Sequence, residues 1–252
     1  MVRVALQSLH RAKNAVFLVS AFLLGVLAKG SGLIDDIRRH WGTALALTGE
    51  HLLLLFFSGG LAVVMGVAAG ILLSRMRLER ATVVIGEVLV VAVVLPVLAV
   101  LAIAVLLFGK DVWAAVFALW LISFVPLVRY TRNALRMVPV YLREAAMGLG
   151  MQPWQVLWRI ELPSALFDII AGVRRILVIN AGCVPLVFLI GGGGLGELIF
   201  NGIERNDRGM LLAGGIMAAL LALIVDFVIG QAAFWLMPRG MRSNSWLPTG
   251  QQ

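Results

Sequence analysis

"EAAMGLGMQPWQVLWRIELP", residues 144–163, is a charged, tryptophan-bearing segment lodged between two of the most apolar stretches of its chain. It is too polar to lie in hydrocarbon, where a single charged residue at the centre of a span costs about 3 kcal/mol. Its punctuation reads as two short helices. Pro139 precedes the first, Gly150 is placed to take the left-handed backbone that ends it, Pro153 suits the first turn of the second, and Pro163 stops it. In the second helix Trp154, Leu157 and Trp158 fall at i, i+3 and i+4 and share one face. Such a face suits either a bilayer surface or a groove in a partner protein.

The flanking sequence explains why a polar segment of this kind is unusual. The 252 residues are 61% hydrophobic and 13% charged, with a mean hydropathy of +0.99, whereas soluble domains carry about a quarter charged residues. The composition is that of an integral membrane protein. One span takes about 20 apolar residues, so the chain holds about five to seven spans and no large soluble domain. Candidate spans are 14–28, 52–73, 83–108, 112–128, 166–190 and 210–236. The net charge of +8 marks cytoplasmic loops rather than a nucleic-acid partner. Cys183 sits in an apolar run with no second thiol and no metal-ligand spacing, which reads as packing.

Lys and Arg are unevenly shared between the two sides. Arg3, Arg11, Lys13, then Arg75, Arg77, Arg80, then Arg129, Arg132, Arg136, Arg143, Arg159, and finally Arg239 and Arg242 fall on one side, against Lys29, Arg38, Arg39, Lys110, Arg205 and Arg208 on the other. The bias places both termini and the 139–163 segment in the cytoplasm. The first span also meets the loose pattern of a signal peptide, and its cleavage would leave the later orientation unchanged. No repeat or linker divides the chain. We expect a cytoplasmic segment at 1–13, one transmembrane domain over 14–236 and a cytoplasmic tail at 237–252.

With its gaps, the series Glu144-Ala145-Ala146, Gly150, Ile160, Leu162 and Pro163 closely resembles the EAA loop of permease subunits in binding-protein-dependent ABC importers. The resemblance continues over residues 44–236 and points to the glycine betaine, choline and osmoprotectant group. "EHLLL" at 50–54, "GVAAGILLSR" at 66–75, "LPSALFDIIAGVRR" at 162–175 and "IGGGGLGELIFNGI" at 190–203 carry it. It implies an all-α, MetI-like permease fold of about six transmembrane helices in the bacterial inner membrane. It also implies a cytoplasmic ATPase subunit that docks on the loop, Trp154 and Trp158 included, and that holds the ATP and Mg. A second permease subunit and an extracytoplasmic solute-binding protein complete the expected assembly. The chain departs from the group in its third span, where a usual Gln-Thr-Ile-Pro-Ser segment is reduced to Pro96 within "VVLPVLAV". Methionine or phosphonate importers are the runner-up, and a non-transporting scaffold or sensor of the same fold is a further alternative. A gradient-driven secondary transporter would need more spans or inverted repeats.

Ionisable groups inside spans are costly and default to functional hypotheses. At 1.5 Å per residue, Arg174 and Arg175 lie about 12 to 14 Å into the fifth span, Asp226 about 15 Å from the same face, and Glu87 about 6 Å in. Opposite charges at similar depth invite pairing, so Arg174 or Arg175 is expected to meet Asp226 and to steady or gate the inner half of the pathway. Snorkelling of the arginines to phosphates is the competing reading. Pro96, Asn180, Gly191 and Gly194 are candidates for the translocation path or outer gate, with helix packing as the alternative. No phosphate-cradling Gly-x-x-x-x-Gly-Lys-Ser/Thr is present, since Gly109-Lys110 is followed by Asp111. The chain is therefore expected to bind no ATP itself, to hold no metal and to be no enzyme.

Overall fold

A computed structural model describes residues 33–75 and 95–236. The first candidate span, Glu87 and the two end segments 1–13 and 237–252 lie outside the described residues. Every regular element among those described is helical. They are α1 (Leu33–Arg75), α2 (Val97–Phe108), α3 (Val112–Met137), α4 (Val140–Gly148), α5 (Pro153–Val156), a π-helical turn (Leu157–Glu161), α6 (Leu162–Cys183), a 3-10 turn (Val184–Ile190), α7 (Gly196–Glu204) and α8 (Arg208–Leu236). Among the described residues, four helical stretches are long and apolar enough to cross a membrane: 34–75, 112–137, 153–190 and 208–232.

Hydropathy locates these spans but not their ends. The expected span 52–73 is the inner part of a 43-residue helix, about 65 Å long and so about twice the hydrocarbon thickness. The extra turns are amphipathic rather than greasy. Ala44 and Leu47 are buried against Leu195, Leu198, Met217 and Leu221, so α1 continues past the bilayer because α7 and α8 offer it an apolar partner. Asp35 and Asp36 in its first turn and Arg75 in its last suit the helix dipole. In the same way α3 overruns the expected 112–128. It starts where the Asp111 carboxylate accepts the Val112 N–H at 2.7 Å and ends at extended Val138, the conformation that a following proline favours.

The segment 139–163 follows expectation in its first helix and turn and departs from it in its second helix. The first helix runs over Val140–Gly148, and Gly150 adopts φ +81°. The Met151 N–H reaches the Ala146 carbonyl at 3.1 Å and the Gly150 N–H reaches Met147 at 2.9 Å, the two bonds of a Schellman cap. The second helix does not stop at Pro163. Pro163 lies in the first turn of α6, and the chain stays helical from Pro153 to Cys183. Proline has no N–H to give an i−4 carbonyl, and the preceding turn is wound with i→i+5 spacing, the Leu162 N–H bonding to Leu157. The wider turn absorbs the missing donor, so the second helix of the segment and the fifth span form one continuous rod.

Helices in lipid associate through close packing more than through the hydrophobic effect, and α1 shows this along one face. A Cβ added at Gly66 would lie 2.8 Å from the Leu127 Cβ, and one at Gly70 would lie 2.5 Å from the Thr131 Cβ and 2.9 Å from the Val128 carbonyl oxygen. Gly60 faces open space. Gly70→Ala is therefore expected to destabilise the bundle by about 1–3 kcal/mol, while Gly60→Ala changes little. Thermal unfolding of the two variants in detergent checks the contrast.

The packing gives the bundle two distinct ends. Around one, Arg75, the end of α3 and the α4–α5 turn gather over a core of Ala134, Leu135, Val138, Ala165 and Ile169. Around the other, Asp111, Gly191–Gly194 and the α7–α8 connection meet the outer half of α1. There the His40 Nε2 lies 3.1 Å from Asp207, whose other oxygen accepts the Met210 N–H at 3.0 Å and caps α8. The Met210 N–H, followed by His40, holds the Asp207 carboxyl below the usual carboxylate range.

Candidate functional site

The α4–α5 turn presents a broad apolar surface to the outside of the subunit. Tyr141, Leu149, Trp154 and Trp158 are all exposed, Leu149 at 84%, Trp154 at 61% and Trp158 at 64%. Glu144 and Ala145 lie on the exposed side of α4, whereas Ala146 is buried. Leu157 does not stay with the tryptophans. The π-helical turn breaks the 3.6-residue spacing, and Leu157 packs onto the Ala134–Ile169 cluster instead. Ile160, Leu162 and Pro163 are half-buried at the root of the rod. The loop is thus anchored on one side and aromatic on the other.

Its turn is held by chain geometry. Gln152 and Gln155 exchange hydrogen bonds at the start of α5, the Gln152 N–H donating to the Gln155 Oε1 at 2.8 Å. No neighbour crowds Gly150, so a substitution there meets only backbone strain. Gly150→Val is expected to cost about 1–2 kcal/mol and to loosen the loop without unfolding the spans. Local amide exchange over 147–155 measures it.

Beneath the loop lies a group of charges that the sequence alone did not single out. Glu161 is 2% exposed, and its two carboxylate oxygens meet two arginines from different elements. Arg75, the last residue of α1, contacts Oε2, and the Arg143 Nε lies 2.8 Å from Oε1. Arg143 also donates from Nη2 to the Leu135 carbonyl at 2.6 Å. A signal for Glu161 was present in the spacing. It falls four residues after Leu157 and four before Ala165, on the side that faces the core.

Farther in, Arg174 makes a forked contact with Asp226, Nε to Oδ1 at 2.6 Å and Nη2 to Oδ2 at 2.7 Å, the bidentate geometry that suits a guanidinium. Gly230 leaves room for it, since a Cβ there would lie 3.1 Å from the guanidinium carbon. Arg175 points elsewhere and donates to the Tyr130 hydroxyl at 3.0 Å. Of the two arginines, α6 gives one to α8 and the other to α3.

The candidates for a path or outer gate are scattered. Pro96 caps α2 and is exposed. Asn180 is fully buried; its amide donates to Ser123 at 2.6 Å and lies 3.4 Å from both the Ser58 hydroxyl and the Leu119 carbonyl. It joins α1, α3 and α6 inside the subunit. Gly191, at φ +91°, sits against the Lys110–Asp111 backbone, and Gly194, at φ +74°, sits against His51. The Gly194 N–H donates to the Glu50 carboxylate at 3.1 Å, and the His51 Nε2 lies 3.2 Å from the Ala181 carbonyl. Glu50 and His51 stood out in the sequence as part of the "EHLLL" segment that carries the resemblance, without any indication of what they meet. Their partners are more than a hundred residues away. A cavity of about 350 Å³, lined by Val97, Ser123, Pro126, Tyr130, Ile176 and Cys183 among others, opens between α2, α3 and α6.

Known proteins resemble this chain in sequence and in fold. The family described as "Binding-protein-dependent transport system inner membrane component" matches residues 62–239. The Osmoprotectant import permease protein OsmY of Salmonella typhimurium is 40% identical over 84% of this chain and 89% of its own length. The Glycine betaine/carnitine/choline transport system permease protein OpuCB of Bacillus subtilis is 33% identical over 83% of this chain and 96% of its own. Among solved structures, a chain of the MetNI methionine ABC transporter in an inward-facing conformation superposes with a TM-score of 0.67 at 20% identity, covering 75% of this chain and 93% of that one; at that identity the likeness is one of fold. From the matched span and the relatives along most of its length, the chain belongs to the binding-protein-dependent transport system inner membrane component family.

Proposed function

We propose that the chain is the membrane-spanning permease subunit of an ATP-driven importer of osmoprotectants, quaternary ammonium compounds such as glycine betaine and choline. The observation that carries the mechanism is the exposed Trp154 and Trp158 surface, raised on a capped turn whose continuous rod runs on into a span. A groove-bearing ATPase that grips this surface moves α6 directly, because no break in the helix lies between them. The ATP and Mg belong to that partner, and this chain acts as a transporter rather than an enzyme. The osmoprotectant and glycine betaine/carnitine/choline permeases among the relatives support the solute class.

In this reading the bacterial inner membrane holds the subunit, paired with a second permease copy or paralogue, and a binding protein delivers solute at the end that carries His40, Asp207 and the glycine turn. Arg174 and Asp226 steady the inner half of the moving helices. Pro96, Asn180, Gly191 and Gly194 serve the path indirectly, by fixing the helices around it. Glu87 remains a candidate for the inner charge cluster.

Reconstitution into liposomes with the candidate ATPase and binding protein tests the proposal. Glycine betaine uptake that requires both ATP and the binding protein is the expected result. Uptake on a proton or sodium gradient alone would replace it with a secondary transporter, and ATPase docking without uptake of any offered solute would replace it with a scaffold.

A further inference from the structure

α4 is weakly held by apolar packing. Ala146 is its one buried residue, with Leu142 packed partly against the inner core. Its position depends on Arg143, which bonds the Leu135 carbonyl at the end of α3 and lies against Glu161. The same buried carboxylate takes Arg75 at the end of α1. Helices far apart in sequence thus share one anion. Without it, two partly exposed guanidinium groups would face each other with no anion between them, and like charges at that range repel.

We propose that Glu161, itself part of the rod that runs from α5 into α6, is a positioning residue that ties both the coupling helix α4 and that rod to α1, giving the docked loop a second route into the membrane through α1. The inference rests on the importer reading for its use, though not for its existence. A carboxylate shared by two cations holds them at fixed separation, so a displacement of α4 moves Arg143, Glu161 and Arg75 together. α1 follows, and with it Gly59, Gly66 and Gly70, which pack close on α6 and α3. The Glu50 contact with Gly194 lies on the same helix, so the link extends from the loop to the glycine turn at the far end of the bundle.

Two measurements test it, using Arg75→Gln and Glu161→Gln. In the purified chain, amide exchange of residues 142–148 is read first. Arg75 is not on α4, so faster exchange there in Arg75→Gln reports the link and not a local packing defect. In liposomes bearing the full importer, glycine betaine taken up per ATP hydrolysed is read second. Both variants are expected to keep the ATPase bound and to lose about tenfold in that ratio, within the range of ordinary coupling between sites, while Glu161→Asp retains most of it. A pair of cysteines, Arg75→Cys with Arg143→Cys, in a Glu161→Gln background is expected to regain coupling when joined by a short bifunctional thiol reagent, which ties α1 to α4 without the carboxylate; the chain's own cysteine, Cys183, is buried. Unchanged exchange on α4 in Arg75→Gln, which does not depend on Glu161 variants folding, overturns the link. So does an unchanged uptake ratio in an importer that works. Faster exchange on α4 beside a wild-type chain that performs no ATP-driven uptake would leave the link standing and sink the importer reading.

Discussion

Asp226→Asn is expected to lower both the abundance of the protein in the membrane and its thermal stability, by an amount corresponding to about 3 kcal/mol. The substitution keeps the shape of the side chain and removes its charge, so Arg174 loses the carboxylate that its fork grips at 2.6 and 2.7 Å. An arginine at that depth must then tilt toward the headgroups, drawing α6 off α8, or draw water inward. Breaking an ion pair in low dielectric is costly because the surviving charge stays behind, whereas replacing both partners with apolar groups of similar volume is often neutral. The double variant Arg174→Met with Asp226→Leu is therefore expected to recover most of the lost abundance. If uptake falls in the double variant while abundance returns, the pair serves movement as well as folding. Normal abundance and transport in Asp226→Asn would show that the pair matters to neither.

The second large effect is expected at the loop surface. Trp154→Glu combined with Trp158→Glu should abolish capture of the ATPase while leaving the bundle as stable as before. The two indoles are more than half exposed, so the folded chain loses little. An interface centred on two tryptophans loses a great deal, because buried aromatic anchors carry most of the energy of binding and each is worth about 2 kcal/mol or more when removed. Copurification of the two subunits after detergent extraction measures the loss, and the melting temperature of the permease alone is the control. Retained copurification would move the docking surface elsewhere, to Tyr141 and Leu149 first.

How much of this was legible differs from residue to residue. Gly150 could be read because a left-handed cap is a local demand, decided by the few residues on either side of it. The apolar runs could be read because lipid acts on each segment separately. Pro163 was misread as a stop because its local signal was right and the answer lay in a neighbouring turn, where one wider winding removed the need for its N–H. The outer turns of α1 were missed for a different reason. Ala44 and Leu47 become a core face only when Leu195, Leu198, Met217 and Leu221 arrive to cover them. Arg174 and Asp226 were legible as a pair by depth, but the choice of Arg174 over Arg175 depends on the rotation of α6 between α3 and α8.

The amino-acid order alone determined that the chain lives in a membrane, roughly where its spans fall, and that residues 144–163 hold a capped turn between two helices. These are consequences of solvent transfer and backbone sterics, which act over a turn or two of helix. Only the tertiary structure decided that the second helix of that segment and the fifth span are one rod, that Glu161 joins Arg75 to Arg143, that Asn180 ties three helices from within, and that Glu50 receives Gly194. Each of these is a contact between residues distant in sequence, set by how helices rotate and cross when their small residues let them close together.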